Sequence, residues 1–364
     1  MPDAHDPRHR RAGILLHPTS LPSGILDEDV ERWLQLIADC GFSVWQVLPL
    51  CEPHLGLSPY QCSSTFAFNT ALLADLPTYN ANDSEFQAFC EQQKFWLDDY
   101  VLFKVLKLHF NDAAWFEWPE PWKFRDPEVM QHVWEQHALA IADFQWEQFQ
   151  LYRRWQQIRQ YAGDRGILLF GDLPIFVGHD SADVWAHQEW FLLDANGMME
   201  VVTGVPPDYF SETGQRWGNP HYDWDCLQQN GFEWWLERIK TQLELFDIIR
   251  IDHFRGLEAA WEIPADEDTA INGQWVKAPG EALLATIKDK FGSIPLVAED
   301  LGVITHEVEA LRDQFELPGM KILQFAFNGS IDNPYLPHNH TENCVVYTGT
   351  HDNDTTLGWY DSAS

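Results

Sequence analysis

Four short apolar runs lead into a carboxylate. Residues 166–170 (GILLF) run into Gly171 and Asp172, 247–251 (DIIRI) into Asp252, and 294–298 (IPLVA) into Glu299. Residues 344–347 (CVVY) run into TGTHD, which ends in Asp352. A loop or capping acid is the plain alternative for each one alone. Jointly they fit that alternative poorly, because desolvating a carboxylate beside a buried strand is costly. Carboxylates gathered on one rim among tryptophans suit glycosidic chemistry: one attacks or stabilises an anomeric carbon, another protonates the leaving oxygen.

Local spacing suggests roles. Arg250 and Asp252 are two apart on a strand and face the same way. Arg250 can then hold Asp252 ionised by a charge-assisted hydrogen bond, which suits a nucleophile; a structural ion pair is the alternative. Glu299 follows an apolar strand and is the natural general acid, provided its pocket raises its pKa. His253 and His351 flank two of the acids, but no H-x-H or H-E-x-x-H spacing supports a metal.

The elements that must position these groups are short β-rich runs, which also include 13–17 (GILLH), 44–50 (VWQVLPL) and 320–327 (MKILQFAF). They read as buried parallel strands. Amphipathic helical stretches at 27–40, 231–245 and 278–291 lie between them. Strand–helix alternation with about seven such strands predicts an α/β fold, a TIM (β/α)8 barrel, whose active site sits at the C-terminal strand ends. No G-x-G-x-x-G follows the first strand, which weakens a dinucleotide site.

Residues 83–161 are helical and aromatic-rich and read as a subdomain inserted after strand two. Their Trp and Phe spacing predicts core rather than a binding stripe. The predicted organisation is 1–82 for the start of the barrel, 83–161 for the insert and 162–364 for the barrel's continuation. Segment 204–222 is Pro/Gly-punctuated and reads as a loop. It carries Asp208, Tyr209, Phe210, Gln215, Trp217 and Asn219, either as a self-tied surface loop or as a rigid lid facing a polymer.

Composition narrows the partners. Lys+Arg 23 against Asp+Glu 56 gives a net charge of −33 over 364 residues, which disfavours nucleic acid, anionic membranes and anionic substrates. No apolar run approaches the roughly 18–20 residues of a membrane helix, and the apolar stretch near the start is too short for a signal peptide. Six cysteines without a C-x-x-C pair are no disulfide framework, so a cytoplasmic setting is expected. Eighteen tryptophans exceed core needs and suit the flat faces of sugars.

Together the motifs 58–61 (SPYQ), 96–100 (WLDDY), 171–177 (GDLPIFV), 204–220 (GVPPDYFSETGQRWGNP), 250–256 (RIDHFRG), 298–302 (AEDLG), 318–327 (PGMKILQFAF) and 348–354 (TGTHDND) resemble the amylomaltases, the 4-α-glucanotransferases of glycoside hydrolase family 77. The resemblance runs over nearly the whole chain from Gly13. It implies transfer of α-1,4-glucan segments between maltooligosaccharides, starch or glycogen fragments, with net retention and no cofactor. It implies Asp252 as nucleophile, Glu299 as acid/base and Asp352 as a third carboxylate gripping sugar hydroxyls. Arg250 and His351 would be neighbouring polar contacts, and Asp172 a substrate-contacting or site-organising acid. Tyr60, Asp208, Tyr209, Phe210, Gln215, Trp217 and Asn219 would line the subsites. Retention implies the two catalytic carboxyls about 5–5.5 Å apart.

Departures from the family pattern lie at 50–56 (LCEPHLG), which is less Gly-rich, and after strand one, where the turn is shorter. The family also continues beyond TGTHDND, so the eighth strand is expected to be missing from this chain. A related α-glucan hydrolase is the runner-up activity, and an inactive glucan-binding fragment is the reading from a different class.

Overall fold

The computed structural model describes residues 10–54, 56–208, 211–292 and 295–362. Its strands are β1 (Gly13–Leu15), β2 (Val44–Gln46), β3 (Leu168–Leu173), β4 (Val201–Val205), β5 (Gln215–Pro220), β6 (Ile248–Ile251), β7 (Ala259–Pro264), β8 (Gln274–Lys277), β9 (Leu296–Ala298), β10 (Gly319–Ile322) and β11 (Cys344–Tyr347). Strands β1-β2-β3-β6-β9 form one parallel sheet and β10-β11 pair in parallel. The Ala298 N–H donates to Pro318 O at 2.8 Å and brings the second group against the first. The protein is thus an α/β fold built on parallel strands with helices between them.

Alternation along these strands separates two environments. Trp45, Leu169, Ile249, Ile251, Leu296 and Ala298 join the large core shared with the helices. Val44, Leu168, Phe170, Ile248, Val297 and Met320 form a second apolar cluster on the opposite face. That second parity continues along each strand into Asp172, Arg250 and Glu299. The apolar layer therefore ends, at the C-terminal strand ends, in charged groups. Gly171 belongs here for space: a Cβ would come within 2.3 Å of the Phe246 ring.

The helices follow from their caps and stripes. Helix Glu28–Asp39 starts where the Asp27 side chain accepts from Asp29 N, and it buries Val30, Leu34 and Ile37. Helices Glu233–Leu245 and Gly280–Phe291 fall within the other two predicted stretches. Between β2 and β3 lie helices Ser84–Gln92, Lys94–His109, Glu120–Lys123, Pro127–Gln136 and Ala138–Gly163. Their Trp96, Phe103, Trp146, Phe149 and Trp155 are buried in the main core.

One expectation changes. Segment 204–222 is not a plain loop, because β5 pairs antiparallel with β4 inside a second sheet of order β5-β4-β7-β8. Its Pro and Gly residues mask a hairpin whose pairing partner, β7, comes some 60 residues later in sequence, beyond the reach of local pattern. No helix among the described residues is long and apolar enough to cross a membrane. All six cysteines are free thiols.

Candidate active site

Asp172 and Arg250 are register partners on β3 and β6. Arg250 Nη1 lies 2.7 and 2.8 Å from the two Asp172 oxygens, and Nη2 lies 2.8 Å from Asp252 Oδ1. The Asp172 side chain is fully buried and that of Arg250 nearly so, whereas Asp252 keeps 25% of its side-chain surface exposed. Asp252 stands one step past β6, its N–H bonded to Leu173 O at 3.0 Å. The one guanidinium is thus shared between a closed-in carboxylate and one open at its outer face.

Glu299 stands in the same position past β9, and its N–H bonds Ile251 O at 3.0 Å. Its two oxygens accept separate backbone donors, His253 N at 2.7 Å and Leu301 N at 3.1 Å. To present its N–H this way His253 adopts φ 49°, a left-handed conformation costing a non-glycine residue about 1–2 kcal/mol. Burial pushes the Glu299 carboxyl up, with Arg250 and the two N–H groups opposing it. Burial also pushes Asp252 up, against the direct Arg250 contact, and Asp172, Glu299 and Asp352 add like-charge repulsion. Asp252 and Glu299 therefore both hold a proton more tightly than free carboxyls do.

Tyr60 closes the opposite side. Its hydroxyl donates to Asp172 Oδ2 at 2.8 Å and lies 2.8 Å from His351 Nε2. The two rings stack at 5.6 Å, and burial raises the phenol pKa above its ordinary value. Asp352 follows in the turn after β11, with Oδ2 3.4 Å from His351 Nε2 and 68% of its side chain exposed. Asp352 therefore faces outward, and the His351–Tyr60–Asp172 contacts link its turn to Arg250.

The hairpin residues divide into two groups. The Trp217 ring meets His253 edge-on at 4.7 Å, next to Asp252. Gln215, at the exposed start of β5, accepts from Trp217 Nε1 at 3.1 Å. Asn219 is buried and occupied by protein: it accepts from Gln61 Nε2 and donates to Val177 O, both at 2.8 Å. The Asp208 carboxylate accepts from Ser211 N at 2.8 Å in the connecting turn. Tyr209 and Phe210 lie outside the described residues.

Two supports escaped sequence reasoning. Gln61 ties the Tyr60 turn to the hairpin through Asn219 and Trp217 O. Tyr347 OH donates to Gln46 Oε1 at 2.7 Å, joining β11 to β2 beneath the acids. A glutamine inside an apolar strand was the only signal for the second. Buried carboxylates, an organising cation, a half-buried tryptophan and an open outer face together can hold a neutral polyhydroxylated ligand and move a proton at it.

The sequence profile of a family described as 4-alpha-glucanotransferase matches residues 16–78 and 75–364. The chain is 46% identical to the 4-alpha-glucanotransferase of Thermus thermophilus, the alignment covering 98% of this chain and 81% of that protein. It is 44% identical to the Synechocystis 4-alpha-glucanotransferase with the same two coverages. Its fold matches the amylomaltase from Streptococcus agalactiae, solved in complex with acarbose, with a TM-score of 0.92 at 33% identity, covering 98% of this chain and 82% of that one. With the acid cluster at the strand ends, these matches place the chain in glycoside hydrolase family 77: it belongs to the 4-alpha-glucanotransferases, enzymes that transfer glucan segments from one glucan to another.

Proposed function

We propose that this protein exchanges α-1,4-linked segments between maltooligosaccharides and between starch- or glycogen-derived chains by double displacement at Asp252. Glu299 protonates the glycosidic oxygen while Asp252 attacks the anomeric carbon. The leaving glucan departs with the proton and a glucosyl ester remains on Asp252. Glu299, now a carboxylate, takes the proton of an acceptor 4-hydroxyl, which displaces Asp252. Two inversions give net retention, with the two carboxyls about 5–5.5 Å apart.

The division of labour between the acids carries this reading. Asp252 touches Arg250 directly and has an open face, as a nucleophile needs. Glu299 is oriented by two backbone N–H groups, and burial raises its pKa, as a general acid needs. Asp352, with His351 and Tyr60, grips sugar hydroxyls from the opposite rim. Trp217 offers its ring to an incoming sugar, Asp208 and Gln215 stand on the same hairpin, and Tyr209 and Phe210 complete the set of subsite residues. Asp172 organises Arg250, and Asn219 anchors the hairpin.

The seven parallel strands read as a (β/α)8 barrel, interrupted at 83–161 by a helical subdomain and carrying the 204–222 hairpin as its substrate wall. Free thiols throughout fit a reducing, cytoplasmic setting. Transfer outruns hydrolysis because acceptor binding positions the 4-hydroxyl better than water. Incubation with maltotriose tests the reading: longer maltooligosaccharides plus glucose are expected, and products no longer than maltotriose would contradict it.

A further inference from the structure

Arg255 is a buried cation that the reaction described above leaves unused. It is 5% exposed and sits in the short turn Phe254–Leu257, just past Asp252 and His253. Its Nη1 donates to Val303 O at 2.8 Å, and its Nε is buried without a hydrogen-bond partner. It has no ion-pair contact among the described residues, and Glu258, three residues on, pairs with Lys277 instead. Burying a charge so sparsely matched is costly. Trp275 on β8 offsets part of that cost, its ring centroid lying 3.7 Å from the guanidinium carbon. Trp275 is itself backed by Trp261, its register partner on β7, with ring centroids 5.2 Å apart.

The place of the Val303 bond explains why the cation is kept. The two Glu299 oxygens accept from His253 N at 2.7 Å and Leu301 N at 3.1 Å. The first donor lies on the segment after β6, the second on the segment after β9. Phe254 N donates to Glu299 O at 3.0 Å and ties the two segments at their base. Arg255 ties them again further out, two residues past His253 on one side and two past Leu301 on the other. Between Leu301 and Val303 the chain turns on Gly302 at φ 83°, a residue with wide backbone freedom, and Val303 is 49% exposed. The Arg255 bond is thus the outer end of a clamp whose inner end is the Glu299 carboxyl.

We propose that Arg255 is a positioning residue for the acid/base: braced by Trp275, it holds the Leu301–Val303 loop so that both backbone donors keep the Glu299 carboxyl aimed at the glycosidic oxygen. This rests on the reading of Glu299 as the acid/base. Without the brace the loop swings on Gly302, Leu301 N leaves the carboxyl, and the proton is presented from the wrong place. The nucleophile is held separately, by Arg250 Nη2 at 2.8 Å from Asp252, so attack on the anomeric carbon is spared.

The test is Arg255→Met, which keeps a stem of similar length and removes the charge and the donor. Two substrates are compared on the whole protein: maltotriose, whose leaving oxygen needs a proton, and α-maltotriosyl fluoride, whose leaving group does not. We expect kcat for maltotriose disproportionation to fall about 10- to 100-fold, since a displacement near 1 Å at a positioned group can cost on the order of 100-fold. First-turnover fluoride release should stay within about threefold of wild type, because that step needs no general acid. Trp275→Leu, which leaves Arg255 in place without its stacked ring, should show the same split with a smaller loss. Equal losses on both substrates, or wild-type rates on both, overturn the proposal. If Arg255→Met fails to fold, Trp275→Leu decides by the same criterion. If Glu299→Gln loses both substrates equally, the acid reading fails instead. A crystal structure of Arg255→Met, or of Trp275→Leu in its place, then judges the brace: Leu301 N moved out of hydrogen-bond reach of Glu299 is expected, and an unmoved loop overturns it.

Discussion

Asp172 and Arg250 stand opposite each other on adjacent parallel strands, and one guanidinium nitrogen serves both oxygens of the carboxylate at 2.7 and 2.8 Å. That leaves Nη2 free for Asp252 at 2.8 Å. The buried pair fixes the arginine, and the arginine fixes the outer acid. Asp172 thus acts on Asp252 through Arg250.

Arg250→Lys tests this arrangement. A lysine is a point charge on a flexible stem and cannot serve two carboxylates in fixed geometry. We expect kcat for maltotriose disproportionation to fall about 100- to 1,000-fold. Activity within a few-fold of wild type would show that Asp252 is oriented by other groups.

Asp252→Asn should abolish transfer yet stabilise the protein. Burial raises the folded-state pKa of Asp252 above the ordinary aspartate value, near 3.9. Burial raises Glu299 as well, so the native pair keeps a proton that the unfolded chain releases, and the wild-type site loses stability as pH rises above about 4. Asparagine keeps an oxygen for Arg250 and removes that loss. The variant's Tm should exceed that of wild type at pH 7. The gain should vanish near pH 4, and equal Tm values at pH 7 would contradict the assignment.

In the proposed mechanism Glu299 carries its proton into the first step. Because burial raises its pKa, that form persists above the usual glutamate range, and kcat/KM should fall as pH rises through the raised value. Glu299→Gln should lower kcat on maltotriose about 100- to 10,000-fold. It should spare attack on an α-maltotriosyl fluoride, whose leaving group needs no proton. Equal losses on both donors would remove Glu299 from the acid role.

Asn219 and Trp217 lie two apart on β5 but should respond differently. Asn219→Ala strips partners from Gln61 and Val177 O inside the protein, and urea unfolding should show a loss of about 1–3 kcal/mol. Trp217→Ala removes a half-buried ring that also packs on Phe176, and its diagnostic effect is on turnover: it should raise KM for the acceptor, or shift products toward hydrolysis. A Trp217→Ala variant with wild-type transfer would place the acceptor elsewhere.

The parity of the short strands was legible in the sequence. It put Asp172, Arg250 and Glu299 at the ends of apolar runs, where the structure has them. Period-two alternation is a local property, and so are the Asp27 cap and the stripe of helix Glu28–Asp39. What the pattern missed was contact over distance in sequence. Tyr60 reaches Asp172 from 112 residues away and His351 from 291. Hairpin β4–β5 gains its strand character from β7, and QRWGNP alone has too little β preference to show it. Gln61 draws its importance from Asn219, which no spacing rule connects to it.

Double displacement requires a covalent glucosyl ester on Asp252. Incubation with a 5-fluoro-α-glucosyl fluoride, which slows the second step more than the first, should trap it. Intact mass should rise by one fluoroglucosyl unit, peptide mapping should place that unit on Asp252, and added maltose should discharge it. A protein that turns over maltotriose but gains no adduct, or gains it on Glu299 or Asp352, would contradict double displacement at Asp252.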